Sequence, residues 1–319
     1  MNAQTLLMLR EVDIQFPSKS GMIKIAESIS FDLKVGETLC LLGESGSGKS
    51  LVALAIPGLL PHNAIAKGRI LYRGKDLLSR TDKELTKIRG KDIAMIFEQP
   101  MGCLNPMMTV GEQIAESLYS DKENGKGKER WEARKEAKRR MDEVGIPDQR
   151  FSDYPHELSG GMQQRVMIAM ALACNPKLLI ADEPTTALDL TLQRQILDLL
   201  NDLKQRYNTS LLIVTHDLGV AAEMSDSVAV MYAGRLMEHA PVQEFFARPA
   251  HPYSRALLNI ISGEKLQPIP GNVPNLMELP EGCPYHPRCE HTLEECRKTV
   301  PPSTRLENRM VRCHNALCN

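Results

Sequence analysis

The sequence has no surplus of either charge: 39 Lys and Arg stand against 40 Asp and Glu in 319 residues. No global field therefore points to nucleic acid or another polyanion as partner. Long apolar runs are also missing. The longest, Leu51 to Leu60 (interrupted by Pro57 and Gly58) and Val166 to Cys174, are too short to cross a bilayer. Met1-Asn2-Ala3-Gln4 lacks the basic head and apolar stretch of a secretory signal. There is no internal repeat. These absences predict a soluble, cytoplasmic chain, long enough for one large or two ordinary domains.

Strand signals open the chain. Leu7 to Ile14 alternates partly and Ile29 to Leu33 alternates cleanly, as half-buried antiparallel strands do. The apolar run Thr38 to Leu42 then feeds Gly43-Glu44-Ser45-Gly46-Ser47-Gly48-Lys49-Ser50, and a helix is predicted from Ser50 to Ile56. Strand, glycine loop and helix in that order read as a phosphate-binding loop. Its glycines let successive N–H groups converge on a β-phosphate. Lys49 would reach the β- and γ-phosphates and Ser50 would give an oxygen to Mg2+. Chance places the four fixed residues in a chain of this length about once per hundred sequences.

From about Pro100 to Ala173 strand signal is weak, and Asp121 to Arg140 reads as a solvated helix preceded by a mobile loop. A second helix, apolar nearly all round and hence buried, starts at Ser159. Continuous apolar runs return at Leu178 to Ala181, Leu211 to Val214 and Val228 to Met231, as in a parallel sheet covered on both faces. At the C-terminal edge of the first run stand Asp182, a candidate Mg2+ ligand, and Glu183, a candidate general base for water. His216, after the second run, is placed to hydrogen-bond a γ-phosphate. A further anion-binding element, Ser159-Gly160-Gly161 within Leu158 to Arg165, heads its helix and implies a grip on another subunit's nucleotide.

The order phosphate loop, Leu-Ser-Gly-Gly, Asp-Glu resembles the ATP-binding subunits of ABC transporters. That resemblance implies an α/β fold: a P-loop ATPase core with a mixed sheet and flanking helices, an inserted helical subdomain at about 100–173, and ATP sandwiched between two subunits. Ala187-Leu188-Asp189 resembles the loop that contacts the opposite subunit. The family has a glutamine ending a strand before the helical subdomain, touching Mg2+ and water. Here Phe97-Glu98-Gln99-Pro100 departs from that pattern, and Glu98 is expected to take the place, with Gln99 as the alternative. An acid can bind Mg2+ but cannot donate to water as an amide does. Phe16 is the candidate adenine platform.

The segment after 250 is rich in Pro and Cys with weak periodicity, as in a module held by something other than a large core. Cys40, Cys103 and Cys174 read as small buried hydrophobes, and Cys318 as no ligand. Cys283, Cys289, Cys296 and Cys313 lack the tight Cys-x-x-Cys pairs usual for zinc, and a reducing cytoplasm disfavours disulfides. With Ala250-His251-Pro252-Tyr253 and Pro270-Gly271-Asn272-Val273-Pro274, their pattern resembles the C-terminal extension of dipeptide, oligopeptide and nickel importer ATPases. This implies domains at 1–250 and 251–319 and a [4Fe–4S] cluster on the four cysteines, with zinc or free thiols as alternatives. It also implies ATP hydrolysis at the cytoplasmic face of the membrane. The partners would be a related ATPase (hetero- or homodimer), two permease subunits and, indirectly, an extracytoplasmic binding protein. Nickel or another small solute is the alternative cargo. A soluble ABC ATPase acting on DNA or ribosomes, or a non-hydrolysing module, are the competing classes, and no nucleic-acid partner is expected.

Overall fold

A computed structural model describes residues 4–19, 21–119, 129–186, 188–261 and 269–316. Ala187, Cys318 and the whole glycine-containing segment at 121–128 lie outside the described residues. The strands are β1 (Thr5–Ser18), β2 (Gly21–Lys34), β3 (Thr38–Leu42), β4 (Ile65–Tyr72), β5 (Lys75–Asp76), β6 (Ile93–Ile96), β7 (Leu178–Asp182), β8 (Ser210–Thr215), β9 (Ser227–Tyr232), β10 (Arg235–Pro241), β11 (Thr304–Leu306) and β12 (Arg309–Val311). The helices are α1 (Lys49–Ala55), α2 (Asp82–Thr86), α3 (Pro100–Cys103), α4 (Val110–Tyr119), α5 (Arg130–Glu143), α6 (Gly160–Leu172), α7 (Leu190–Tyr207), α8 (Leu218–Met224), α9 (Val242–Ala247) and α10 (Pro252–Ile261). Among the described residues no helix is long and apolar enough to cross a membrane.

The chain divides into two compact units, one of residues 1–82 and 214–319, the other of residues 83–213. In the first, β2, β1, β4 and β5 form an antiparallel sheet whose inward residues (Leu7, Leu9, Val12, Ile14) are fully buried. A second run of strands is ordered β11, β12, β10, β9, β3, with β3 and β9 parallel and the rest antiparallel. In the second unit β8, β7 and β6 lie side by side, β7 and β6 parallel. All five residues of β3 and of β7 are buried, which explains the apolar runs Leu39 to Leu42 and Leu178 to Ala181.

Helix α5 corrects the expectation of a purely solvated helix. It buries Ala133, Ala137, Arg140 and Met141. Arg140 donates to the Ala173 carbonyl (3.2 Å) and to Asn175 Oδ1 (2.7 Å), and its guanidinium lies 4.7 Å from the centre of the Tyr207 ring. A guanidinium this buried is tolerated because both its Nη groups find acceptors, Nη1 on Glu143 Oε2 and Nη2 on Ala173 and Asn175.

The C-terminal extension shares its core with the sheet. Tyr253, Leu257, Cys283, Tyr285 and Cys296 share one buried cluster with Cys40, Leu42, Val230, Tyr232 and Phe245. Helix α10 begins over β10: the buried Glu238 carboxylate accepts from the N–H groups of Ala250 (2.9 Å) and His251 (2.9 Å) and faces Arg309 of β12 at 3.7 Å. The extension thus borrows the sheet's core and lengthens its edge.

His251 is wholly enclosed there. Its Nδ1 accepts from the Tyr253 N–H at 3.0 Å, and burial pushes its pKa down from 6.5 to about 3. Between those values the unfolded chain binds a proton that the folded chain refuses. Stability from this group is therefore complete above pH 6.5 and falls as pH drops, by about 1.4 kcal/mol per pH unit. Melting temperatures at pH 7.5 and 5.5 will differ less for His251→Asn, which keeps an acceptor without a titrating ring. An equal difference in both proteins assigns the acid sensitivity elsewhere.

Candidate functional site

In the first unit, β3 delivers the chain into the glycine loop and α1 takes it away. Gly43 admits no side chain: a Cβ there would stand 2.2 Å from the Met231 carbonyl oxygen. Gly48, at φ 96°, is in the left-handed region, and its Cβ would meet the Ile25 carbonyl at 2.7 Å. The loop is therefore wedged between β9 and β2. Lys49 is buried and its Nζ donates to the carbonyls of Gly43 (2.8 Å) and Glu44 (3.0 Å). Ser47 Oγ is buried and has no hydrogen-bond partner among the described residues. A buried hydroxyl without a protein partner is costly, and a phosphate oxygen would satisfy it. The glycine cradle, Lys49 and this hydroxyl fit a polyphosphate; the oxygen donors Ser50, Asp182 and Glu98 are of the type Mg2+ takes.

His216 directly follows β8 and is exposed, while Asp217 caps α8 by accepting from the N–H groups of Gly219 (2.7 Å) and Val220 (3.3 Å). Phe16 is half-buried on β1, opposite Ile23 of β2. The residue of this hairpin that lies against the loop is Ile25.

In the second unit, β7 ends at Asp182, which is 6% exposed, and Glu183 turns the chain with φ 47°. That left-handed conformation costs a non-glycine residue about 1–2 kcal/mol. It is held from outside: Gln164 of α6 donates Nε2 to the Pro184 carbonyl at 2.8 Å in a buried bond, and Thr186 Oγ1 donates to Glu183 Oε2 at 3.3 Å. Sequence reasoning missed Gln164. Its only signal was a place among three polar residues, Gln163, Gln164 and Arg165, ahead of the apolar part of the helix. Glu98 and Gln99 follow β6 and are both exposed, with Gln99 at the N-cap position of α3.

Ser159 caps α6, its Oγ accepting from the Met162 N–H at 3.4 Å. The two glycines after it differ in purpose. A Cβ on Gly160 would meet nothing within 4 Å, so this face is open to another molecule. A Cβ on Gly161 would stand 2.3 Å from Leu192 Cδ2 of α7. Gly161 has no room for a side chain because α7 packs on it, and its N–H stays at the head of α6.

The four cysteines expected to hold a cluster differ in burial. Cys283 and Cys296 are buried, Cys289 and Cys313 half-buried, and none is in a disulfide. The Cys283 N–H donates to the Cys296 carbonyl at 2.8 Å, and burial pushes the Cys283 thiol up to about 11. Yet among the described residues no group of three His, Cys, Asp or Glu is placed to hold a metal ion. Cys283 and Cys296 lie in one buried cluster, and Cys289 packs against it.

The sequence matches the ABC transporter family over residues 26–186 and the oligopeptide/dipeptide transporter C-terminal region over residues 237–296. It is 46% identical to the oligopeptide transport ATP-binding protein OppD of Salmonella typhimurium, over 98% of this chain and 94% of that protein. Identity to the dipeptide transport ATP-binding protein DppD of Bacillus subtilis is 43%, over 97% and 94%. Its fold is similar to a dimeric post-hydrolysis structure of an ATP-binding cassette bound to ADP and phosphate, with a TM-score of 0.66 and 29% identity over 74% of this chain and 99% of that one. With a phosphate cradle, an acidic strand end and a capped Ser-Gly-Gly helix in one chain, this protein belongs to the ABC transporter ATPases that carry the oligopeptide/dipeptide-type C-terminal region.

Proposed function

We propose that this chain hydrolyses ATP to energise import of di- or oligopeptides from a peripheral position at the cytoplasmic face of the membrane. The observation that carries the reading is the phosphate loop, a cradle with no room for a Cβ at Gly43 or Gly48 and a buried Ser47 hydroxyl without a partner among the described residues. The names of the relatives support the substrate class.

Roles follow residue by residue. The loop from Gly43 to Ser50 holds the phosphates, with Lys49 on the β- and γ-oxygens. Ser50, Asp182 and Glu98 would hold Mg2+, which when bound neutralises phosphate charge. Glu183 takes the proton of the attacking water. Glu98 orients that water through an acceptor, or Gln99 does so as the family's amide would. His216 hydrogen-bonds the γ-phosphate. Ser159 and the Gly160 N–H face the nucleotide of a second, related ATPase, which makes a heterodimer the expected arrangement. Two permease subunits and an extracytoplasmic binding protein complete the machine. The [4Fe–4S] reading of Cys283, Cys289, Cys296 and Cys313 rests on the cysteine pattern alone and enters no step. Broad visible absorption after anaerobic purification would support it, and a colourless zinc-containing protein would end it.

Reconstituting the complex with binding proteins loaded with peptides, nickel chelates or glutathione tests the cargo, and only peptide-loaded protein is expected to stimulate turnover. In that complex Ser159→Arg will lower turnover by about a hundredfold or more. The same change will leave Mg-ATP binding to the isolated chain within about twofold. If turnover survives the change, Ser159 does not serve a neighbour's nucleotide.

A further inference from the structure

The second residue of the phosphate loop is an acid. Glu44 puts a carboxylate on a loop whose purpose is to collect anions, which opposes that purpose electrostatically. The structure shows what is done with it. Arg288, of the C-terminal extension, is almost wholly buried, its side chain only 4% exposed. Its fork grips Glu44 with both ends: Nη1 donates to Oε2 at 2.8 Å and Nη2 to Oε1 at 3.2 Å. The remaining donors are also committed, Nε to the Pro270 carbonyl (3.0 Å), Nη2 to the Ile269 carbonyl (3.2 Å) and Nη1 to the Tyr232 hydroxyl (3.3 Å). A bidentate guanidinium fixed on five acceptors is a stiff clamp.

A second contact runs the same way. The Glu44 N–H donates to the Tyr253 hydroxyl at 3.1 Å. Tyr253, Tyr232 and Tyr285 form a triangle with ring centres 4.6–5.2 Å apart, inside the cluster that also buries Cys283 and Cys296. Both polar handles of Glu44, side chain and N–H, are therefore held by residues of the extension or the strand beneath it.

We propose that Arg288 is a positioning residue for nucleotide: it neutralises the Glu44 carboxylate and draws it off the phosphate path, so that Mg-ATP affinity depends on a docked extension. This rests on reading residues 43–50 as the phosphate cradle. Linkage requires the reverse as well, so bound nucleotide stabilises the docked extension by the same factor. The extension acts here as part of the nucleotide site although it contributes no atom to the phosphates.

The test compares the full-length protein with Arg288→Met, Arg288→Lys, Lys49→Ala and the double variant Glu44→Gln/Arg288→Met. Mg-ATP binding is measured by calorimetry, and kcat and KM in the assembled complex. Arg288→Met leaves a bare carboxylate beside the phosphates and is expected to raise Kd and KM about tenfold with kcat within about twofold. Arg288→Lys keeps a point charge and should fall between. Removing the Glu44 charge in the Arg288→Met background should bring Kd back to within about threefold of wild type. A purely structural Arg288 predicts the opposite, since the double variant has lost still more bonds and would bind no better than the single one. That result overturns the proposal, as does an unchanged Kd in a stably folded Arg288→Met protein. Should Arg288→Met fail to fold, a wild-type Kd for Arg288→Lys overturns it and a raised one supports it. Lys49→Ala separates the two levels: if it binds Mg-ATP as tightly as wild type, the reading of the loop has failed. If it does not bind while Arg288→Met binds normally, only the clamp has failed.

Discussion

Replacing Glu183 by Gln will lower kcat of the assembled ATPase by about 10²–10⁴-fold while Mg-ATP still binds. The substitution keeps shape and hydrogen-bonding reach and removes only the capacity to accept a proton from water. The backbone will stay in place, because the buried Gln164 bond to the Pro184 carbonyl is untouched and the amide oxygen introduced by Glu183→Gln can still accept from Thr186 Oγ1. A single-turnover measurement reads the chemical step directly, and a variant that binds ATP without cleaving it should accumulate the closed pair of subunits. Turnover within tenfold of wild type would move the general base elsewhere, with Glu98 the next candidate.

Replacing Glu238 by Ala will cost about 3–5 kcal/mol of folding stability. This carboxylate is fully buried, and the loss leaves the Ala250 and His251 N–H groups without their acceptor and Arg309 without one of its two acidic neighbours. Unpaired buried donors are expensive because water cannot reach them. Glu238→Gln retains one carbonyl oxygen and should cost about half as much. Denaturant midpoints at unchanged slope check both, and a midpoint that does not move for Ala would show that the start of α10 contributes nothing to the fold.

Much of the nucleotide machinery was legible because its chemistry is local. The loop from Gly43 to Ser50 and the Asp182-Glu183 pair are short segments whose residue types state their task, and buried strands such as β3 and β7 announce themselves by their apolar runs. What escaped depends on partners far along the chain. Arg288 and Glu44 are 244 positions apart, and nothing in Tyr285 to Cys289 says that its arginine belongs to the phosphate loop. Strands β11 and β12 are three residues each, too short for any alternation to show. That α7 packs its Leu192 against Gly161 but leaves Gly160 open is likewise not written in two adjacent identical letters.

The shared cluster beneath α9 and α10 has a consequence for anyone who trims this chain. Stopping it near residue 250 would not liberate a minimal ATPase. It would uncover Tyr232, Met237 and Phe245 on one side of the sheet, strand β10 would gain a naked edge, and the product should be recovered from inclusion bodies, sticky and without nucleotide.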